Sequence, residues 1–332
     1  MDENPGMRLS LMLSSAIPPE QTVAVARFAE ESAFSRLWIT EDYFRKGAFA
    51  TAGAVLASTH GLGIGLGVAS PYLRSLPALA MEISTLELMF PGRFVPGVGL
   101  GAKQALSALE RTPSKAIGSL RSRMDATRAL LAGRAVTWSD EFDALHGVEL
   151  DFFPPSPTPI WLAAEGPQML RLAAQSADGL ILSAFSSPHF IRWARNEISA
   201  KLVSRKAGFP IVSFVYLSVH SDQATAYRNA RHFVAKSLSS AQGGFTLQKS
   251  GHWDEIEPLL GGPAETIFDA LREDVVGSYV AYGTVESCRQ MLERYRAAGV
   301  SEIALAPIPV GGKKLELAEI MPLLAQLSAD MK

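Results

Sequence analysis

Cysteine is almost absent: Cys288 is the only one in 332 residues. It has no partner for an internal disulfide, and a reducing compartment is expected. No uncharged apolar run reaches the roughly 18 residues of a membrane span, so no membrane partner is expected. The opening Met1-Asp2-Glu3-Asn4 has neither the basic start nor the apolar run of a secretory signal, which points to the cytoplasm. Blocks or stripes of Lys and Arg are missing and the net charge is −2, which argues against nucleic acid as a partner. None of the six histidines pairs with another at metal-ligand spacing, so no metal is expected. There is no Gly-x-Ser-x-Gly elbow and no Gly-x-Gly-x-x-Gly fingerprint, which leaves serine hydrolases and dinucleotide-binding domains unsupported.

What the chain does have is apolar substance in a repeated order. Hydrophobic residues make up 48% and charged residues 19%, as in a folded chain with a large core. Short β-rich runs alternate eight times with helical stretches, the runs falling at 7–14, 36–40, 62–69, 94–99, 159–164, 179–183, 210–220 and 302–307. Strands separated by helix-length crossovers pair in parallel. Eight such units predict a single α/β domain, a (β/α)8 TIM barrel over residues 1–332, with any active site at the strand C-terminal ends.

Helix boundaries support the reading. Ile17-Pro18-Pro19 starts a helix ending near Phe34. Ile117, Leu120, Met124, Thr127 and Leu131 form one buried face of a helix closed by Gly133. Thr284 caps a helix through Arg296, and Gly299 closes it. Two segments exceed a normal connection, 134–158 and 238–280. Long insertions in barrels often build pockets at the C-terminal face. For the first, a pocket role and a surface decoration stand equal; the second is expected to be a lid, with His252 in it.

Four strand ends carry candidate chemistry. Strand 3 alternates Gly63, Gly65 and Gly67 with aliphatic residues, leaving one face as bare backbone. That face can admit a flat ring, or simply make room for core side chains, and spacing alone favours the latter. Strand 4 ends in Gly97-Val98-Gly99-Leu100-Gly101-Ala102-Lys103, a loop whose amides can approach an anion or a ring. After strand 5, Ala164-Glu165-Gly166-Pro167-Gln168-Met169 opens a helix whose free N–H groups suit a phosphate. Glu41 and Asp42 end strand 2 as paired carboxylates, candidates for acid–base work or a solvated pair at a helix start. Cys288, spaced helically with Met291, Leu292 and Tyr295, reads as packing.

The segments Leu37 to Tyr43, Gly65 to Arg74, Pro159 to Gly179 and Ala281-Tyr282-Gly283-Thr284-Val285-Glu286 together resemble the luciferase-like superfamily of flavin- and deazaflavin-dependent oxidoreductases, in the branch around methylenetetrahydromethanopterin reductase. The resemblance runs from Met7 to about Leu327. It implies a hydride transfer between the deazaflavin coenzyme F-420 and a small organic substrate, with Glu41 or Asp42 relaying the proton. Gly67-Val68 would be a non-prolyl cis peptide propping the ring. Asp42, Ala69 and Ser70 would line the ring, residues Ala164 to Met169 would hold the phosphate-bearing tail, and Ser183 would touch the tail too. A homodimer is implied. One alternative is an FMN-dependent monooxygenase in which Lys103 serves the phosphate; another is a non-catalytic flavin-binding barrel. The sequence departs from related reductases at Ala102, where an acid is common, at Ser70, usually Asn, at Ser75-Leu76, usually His-Pro, and at Glu41-Asp42, commonly Asp-His.

Overall fold

The computed structural model describes residues 7–200, 202, 208–309, 317–329 and 331. In chain order it contains β1 (Arg8–Leu13), α1 (Thr22–Glu31), β2 (Arg36–Ile39), α2 (Ala48–Ser58), β3 (Gly63–Leu66), α3 (Leu76–Met89), β4 (Phe94–Val95), β5 (Gly97–Val98), α4 (Lys103–Ala108) and α5 (Ala116–Leu131). A hairpin, β6 (Val136–Ser139) and β7 (Ala144–Val148), precedes β8 (Trp161–Ala163), α6 (Pro167–Ser176), β9 (Gly179–Leu182), α7 (Pro188–Ser199), β10 (Ile211–Val219) and α8 (Gln223–Ser239). Short helices α9 (Phe245–Gln248), α10 (Trp253–Ile256), α11 (Ala264–Ala270) and α12 (Glu273–Tyr279) lead to β11 (Val280–Gly283), α13 (Val285–Ala298), β12 (Glu302–Pro307) and α14 (Leu317–Ala329). No helix among the described residues is long and apolar enough to cross a membrane.

The strands pair in parallel in the order β4-β3-β2-β1-β12-β10-β9-β8-β5. Pro96 divides one barrel strand into β4, paired with β3, and β5, paired with β8, because proline has no N–H for the ladder. The edges then meet: Ala69 N donates to Gly97 O at 2.8 Å and Gly99 N donates to Ala69 O at 3.2 Å. All eight expected strand runs are therefore present in a closed (β/α)8 barrel. The alternation did not reveal β11. It takes the place beside the upper half of β10, pairing Tyr216 with Val280, while the lower half of β10 pairs with β9.

The helix ends follow the local rules. Thr284 Oγ1 accepts from Ser287 N at 3.3 Å, and Gly299, at φ +97°, closes α13, which runs to Ala298 rather than Arg296. Gly133, at φ +67°, follows α5. The Pro18-Pro19 start makes a short 3-10 turn first, so α1 begins at Thr22 and ends before Phe34.

The barrel interior is filled by aromatics. Trp38 lies 5.6 Å from Trp161 and 5.8 Å from Phe214, centroid to centroid. Gly65 and Gly179 exist to admit them, since a Cβ at either would overlap Trp38 or Trp161. Most of the bare face of β3 is thus room for core side chains. At the N-terminal end of the barrel, the fully buried Glu302 carboxylate accepts from Ser10 Oγ, Trp38 Nε1 and Arg36 Nη1, each at 2.6 Å. Desolvation pulls the Arg36 guanidinium below its ordinary pKa, against the opposing pull of Glu302.

The insertions divide in role. The β6–β7 hairpin lies on the outer helices: buried Arg123 of α5 binds Asp140 and Asp143 and donates to the Pro71 carbonyl at 2.8 Å. The 134–158 segment contributes none of the residues around the large cleft. The 238–280 segment forms a separate apolar cluster with α8, including Val234, Leu247, Ile267 and Tyr279. Only Gly244 and Phe245 of that segment reach the cleft, so the expected lid is a narrow one. His252 is held in the cluster, its Nε2 at 2.9 Å from Ser278 Oγ, away from the cleft.

Candidate active site

A cavity of about 1320 Å³ opens at the C-terminal ends of the barrel strands. Its floor is made where β3 ends. The Gly67–Val68 peptide is cis, and a Cβ on Gly67 would collide with the Phe214 ring, so backbone and ring are in direct contact there. Gly99 stands against the Val68 methyl groups, and Gly101, at φ +87°, lets the backbone pass beside Tyr43 Oη and Ser70. Only glycine allows the left-handed conformation and the close approach together at that position.

Most of the expected site residues converge here. Glu41, Asp42, Gly67, Val68, Ser70, Gly99 and Gly101 line the cleft, as do Ala164, Glu165, Gly166, Pro167, Gln168, Met169 and Ser183. Ala69 does not: its side chain is buried behind the wall and its backbone closes the barrel. Lys103 lies exposed on the first turn of α4, outside the lining. Its neighbour Ala102 lines the cleft with no functional group.

The two carboxylates of strand 2 have different surroundings. Glu41 is buried and clamped by Arg74, with Nη2–Oε1 at 2.6 Å and Nη1–Oε2 at 3.1 Å; Arg74 also pairs with Glu82. Asp42 is exposed to the cleft and accepts a short hydrogen bond from Ser15 Oγ. Glu41 is thereby held in an ion pair, while Asp42 presents its carboxylate to the cleft.

Several lining residues escaped the sequence reading. The Tyr43 hydroxyl is buried beside Ser70, and desolvation raises its pKa against the lowering pull of Ser70. Tyr216 on β10 has its pKa raised by burial and, secondarily, by the Asp42 charge. Its ring lies 4.4 Å from that of Phe233. Tyr43 was readable as the residue after the acid pair; Tyr216 and Phe233 carry no local signal, because only the tertiary fold brings them to the cleft that Asp42 lines.

Helix α6 points its N-terminus into the same cavity. No side chain caps Gly166, Pro167 has no N–H, and the first return bond is Leu170 N to Gly166 O at 2.9 Å. The Gln168 and Met169 amides precede that bond, and both residues line the cleft. Such a terminus attracts an anion through its amides and its dipole.

A closed parallel barrel with its cleft at the strand C-terminal ends defines the class: a (β/α)8 barrel built for a small-molecule ligand. Residues 6–302 match the luciferase-like monooxygenase family, and the chain belongs to that family. It is 28% identical to the 5,10-methylenetetrahydromethanopterin reductase of Archaeoglobus fulgidus, over 89% of this chain and 91% of that protein. It is 30% identical to an F-420-dependent glucose-6-phosphate dehydrogenase of Nakamurella multipartita, over 72% of this chain and 74% of that one. The fold superimposes on the coenzyme F-420-dependent tetrahydromethanopterin reductase of Methanopyrus kandleri with a TM-score of 0.82, covering 98% of this chain and 100% of that one at 19% identity.

Proposed function

We propose that this protein is an oxidoreductase that transfers a hydride between F-420 and a small organic substrate. One observation carries the reading: the uncapped N-terminus of α6 opens into the same cleft as the glycine-built floor of β3 and β5. A flat ring ending in a phosphate needs those two features together. The floor leaves no room for a Cβ at Gly67, Gly99 or Gly101, and the α6 amides are uncapped, so the residues present fit the group. The relatives named as F-420-dependent support the same cofactor.

In this reading Asp42, Gly67, Val68, Ser70, Gly99 and Gly101 border the ring, with Ala69 acting through its backbone. Residues Ala164 to Met169 receive the phosphate and Ser183 lies beside the tail. When bound, F-420 supplies two-electron hydride chemistry. The chain orients it, excludes water and exchanges a proton at Asp42 Oδ. Lys103 takes no part. The protein works in the cytoplasm, as its lone cysteine suggests, and as a homodimer.

The family's monooxygenase members favour a second reading, in which FMN occupies the same floor and phosphate site. A fluorescence-quenching titration with F-420 and, separately, with FMN decides between them. Saturable micromolar binding of F-420 with weak FMN binding is expected. Binding of FMN alone establishes the monooxygenase reading, binding without turnover on any substrate panel a non-catalytic barrel, and binding of neither overturns all three.

A further inference from the structure

We infer that the substrate is an apolar molecule without an anionic group, whose polar end is neutral or cationic and faces Asp42. The inference rests on the proposed cofactor reading, which assigns the α6 terminus to the cofactor's phosphate.

Charge is the first argument. Among the described residues, the cleft is lined by Glu41, Asp42 and Glu165 and by no Lys, Arg or His. The nearby guanidinium of Arg74 is already committed to Glu41 and Glu82. Against these described residues, a carboxylate or phosphate on the substrate would give up water, find no counter-charge and face like charge at Asp42, each of which is unfavourable.

The second argument is the surface around Asp42. Tyr216 and Phe233 pack together at 4.4 Å, and both line the same cleft as Asp42. Phe214 and Ile308 extend the apolar wall. Such a wall takes an apolar body. Aromatic faces beside a carboxylate favour an ammonium or a hydrogen-bond donor over any anion.

A matched set of probes on the full-length protein saturated with F-420 tests this. Benzylamine, benzyl alcohol and phenylacetate share a ring and differ in charge, and isothermal titration reads their binding directly. Benzylamine and benzyl alcohol are expected to bind at least about tenfold tighter than phenylacetate. Asp42→Asn should remove the advantage of benzylamine over benzyl alcohol. Phenylacetate binding as tightly as the other two, or a benzylamine advantage that survives Asp42→Asn, overturns the inference. Failure of the cofactor reading shows separately, as absence of F-420 binding in the quenching titration before any probe is added.

Discussion

Arg74 grips both carboxylate oxygens of Glu41, at 2.6 and 3.1 Å, while the next residue, Asp42, stands exposed in the cleft. Two adjacent acids thus divide in surroundings, one ion-paired and one open to the cleft, and the proposed function makes Asp42 the group that exchanges a proton. Asp42→Asn should lower turnover with F-420 roughly 100-fold or more, the range for loss of a proton-transfer group, with the melting temperature nearly unchanged. Glu41→Gln should do the opposite first. It leaves the mostly buried Arg74 short of its partner and costs about 3 kcal/mol of stability, seen in thermal denaturation. Equal losses of turnover without any change in melting would contradict this division.

The floor of the cleft depends on the absence of a side chain at Gly67. Gly67→Ala drives a methyl group into the Phe214 ring, and overpacking of this kind costs about 1–3 kcal/mol. F-420 affinity should fall with it. The double variant Gly67→Ala with Phe214→Leu should recover part of both, measured by urea denaturation and by fluorescence quenching. No recovery would mean that the two residues do not share the space.

Those two cases show where sequence reading reached and where it stopped. Local rules located the eight strands, the Thr284 cap, the Gly299 stop and the Gly166-Pro167 helix start, because each depends on neighbours in the chain. The glycine pattern of β3 was visible, but its occupants were not. Trp38 and Phe214 arrive from β2 and β10, and no local periodicity reports a contact across a barrel. Lys103 and Ala102 are adjacent, yet one faces solvent and the other the cleft, a consequence of where α4 begins. β11 was missed because it follows a helix and is matched to the upper half of a strand already paired below.

Stability in acid should depend on Arg123. Burial alone would raise the Asp140 carboxyl, but the hydrogen bonds from Arg123 and from the Phe142 and Asp143 amides outweigh it and hold its pKa below the ordinary value. A depressed folded-state pKa contributes stability that is fully present above the unfolded-state value, about 3.9, and is lost as pH falls through the folded-state value. Urea midpoints measured from pH 6 down to pH 3 should therefore fall in the wild type. Asp140→Asn should start lower at pH 6 and fall less over the same range. An identical pH slope in the two proteins would remove Asp140 from the account.

Helix α3 and the chain beside it carry apolar side chains that a lone barrel leaves in water: Met81 is 57% exposed, Met89 63% and Phe152 78%. Ser84 Oγ donates to the Phe152 carbonyl at 2.7 Å, which holds the two segments side by side. Large exposed apolar side chains on neighbouring segments suit an interface between copies of the chain. If the proposed homodimer uses this face, Met81→Glu with Met89→Glu should shift the light-scattering mass from dimer to monomer while F-420 binding persists. A wild type that is monomeric at tens of micromolar would remove this face from consideration.

Cys288 gives a probe of motion rather than chemistry. It is fully buried on the inner face of α13, and desolvation pushes its thiol up to about 12, so at neutral pH the reactive thiolate is scarce and sheltered. A disulfide-forming reagent such as Ellman's should react only through opening of α13 from the barrel. The rate in the native protein should be orders of magnitude below that in urea, and it should fall further where a bound ligand stabilises the barrel. Adding F-420 at saturating concentration should therefore slow the labelling if opening of α13 is coupled to global unfolding. If α13 frays on its own, the rate stays the same with and without cofactor, and the helix is a separately unfolding unit. Rapid labelling of the folded protein would contradict the buried placement of Cys288 itself.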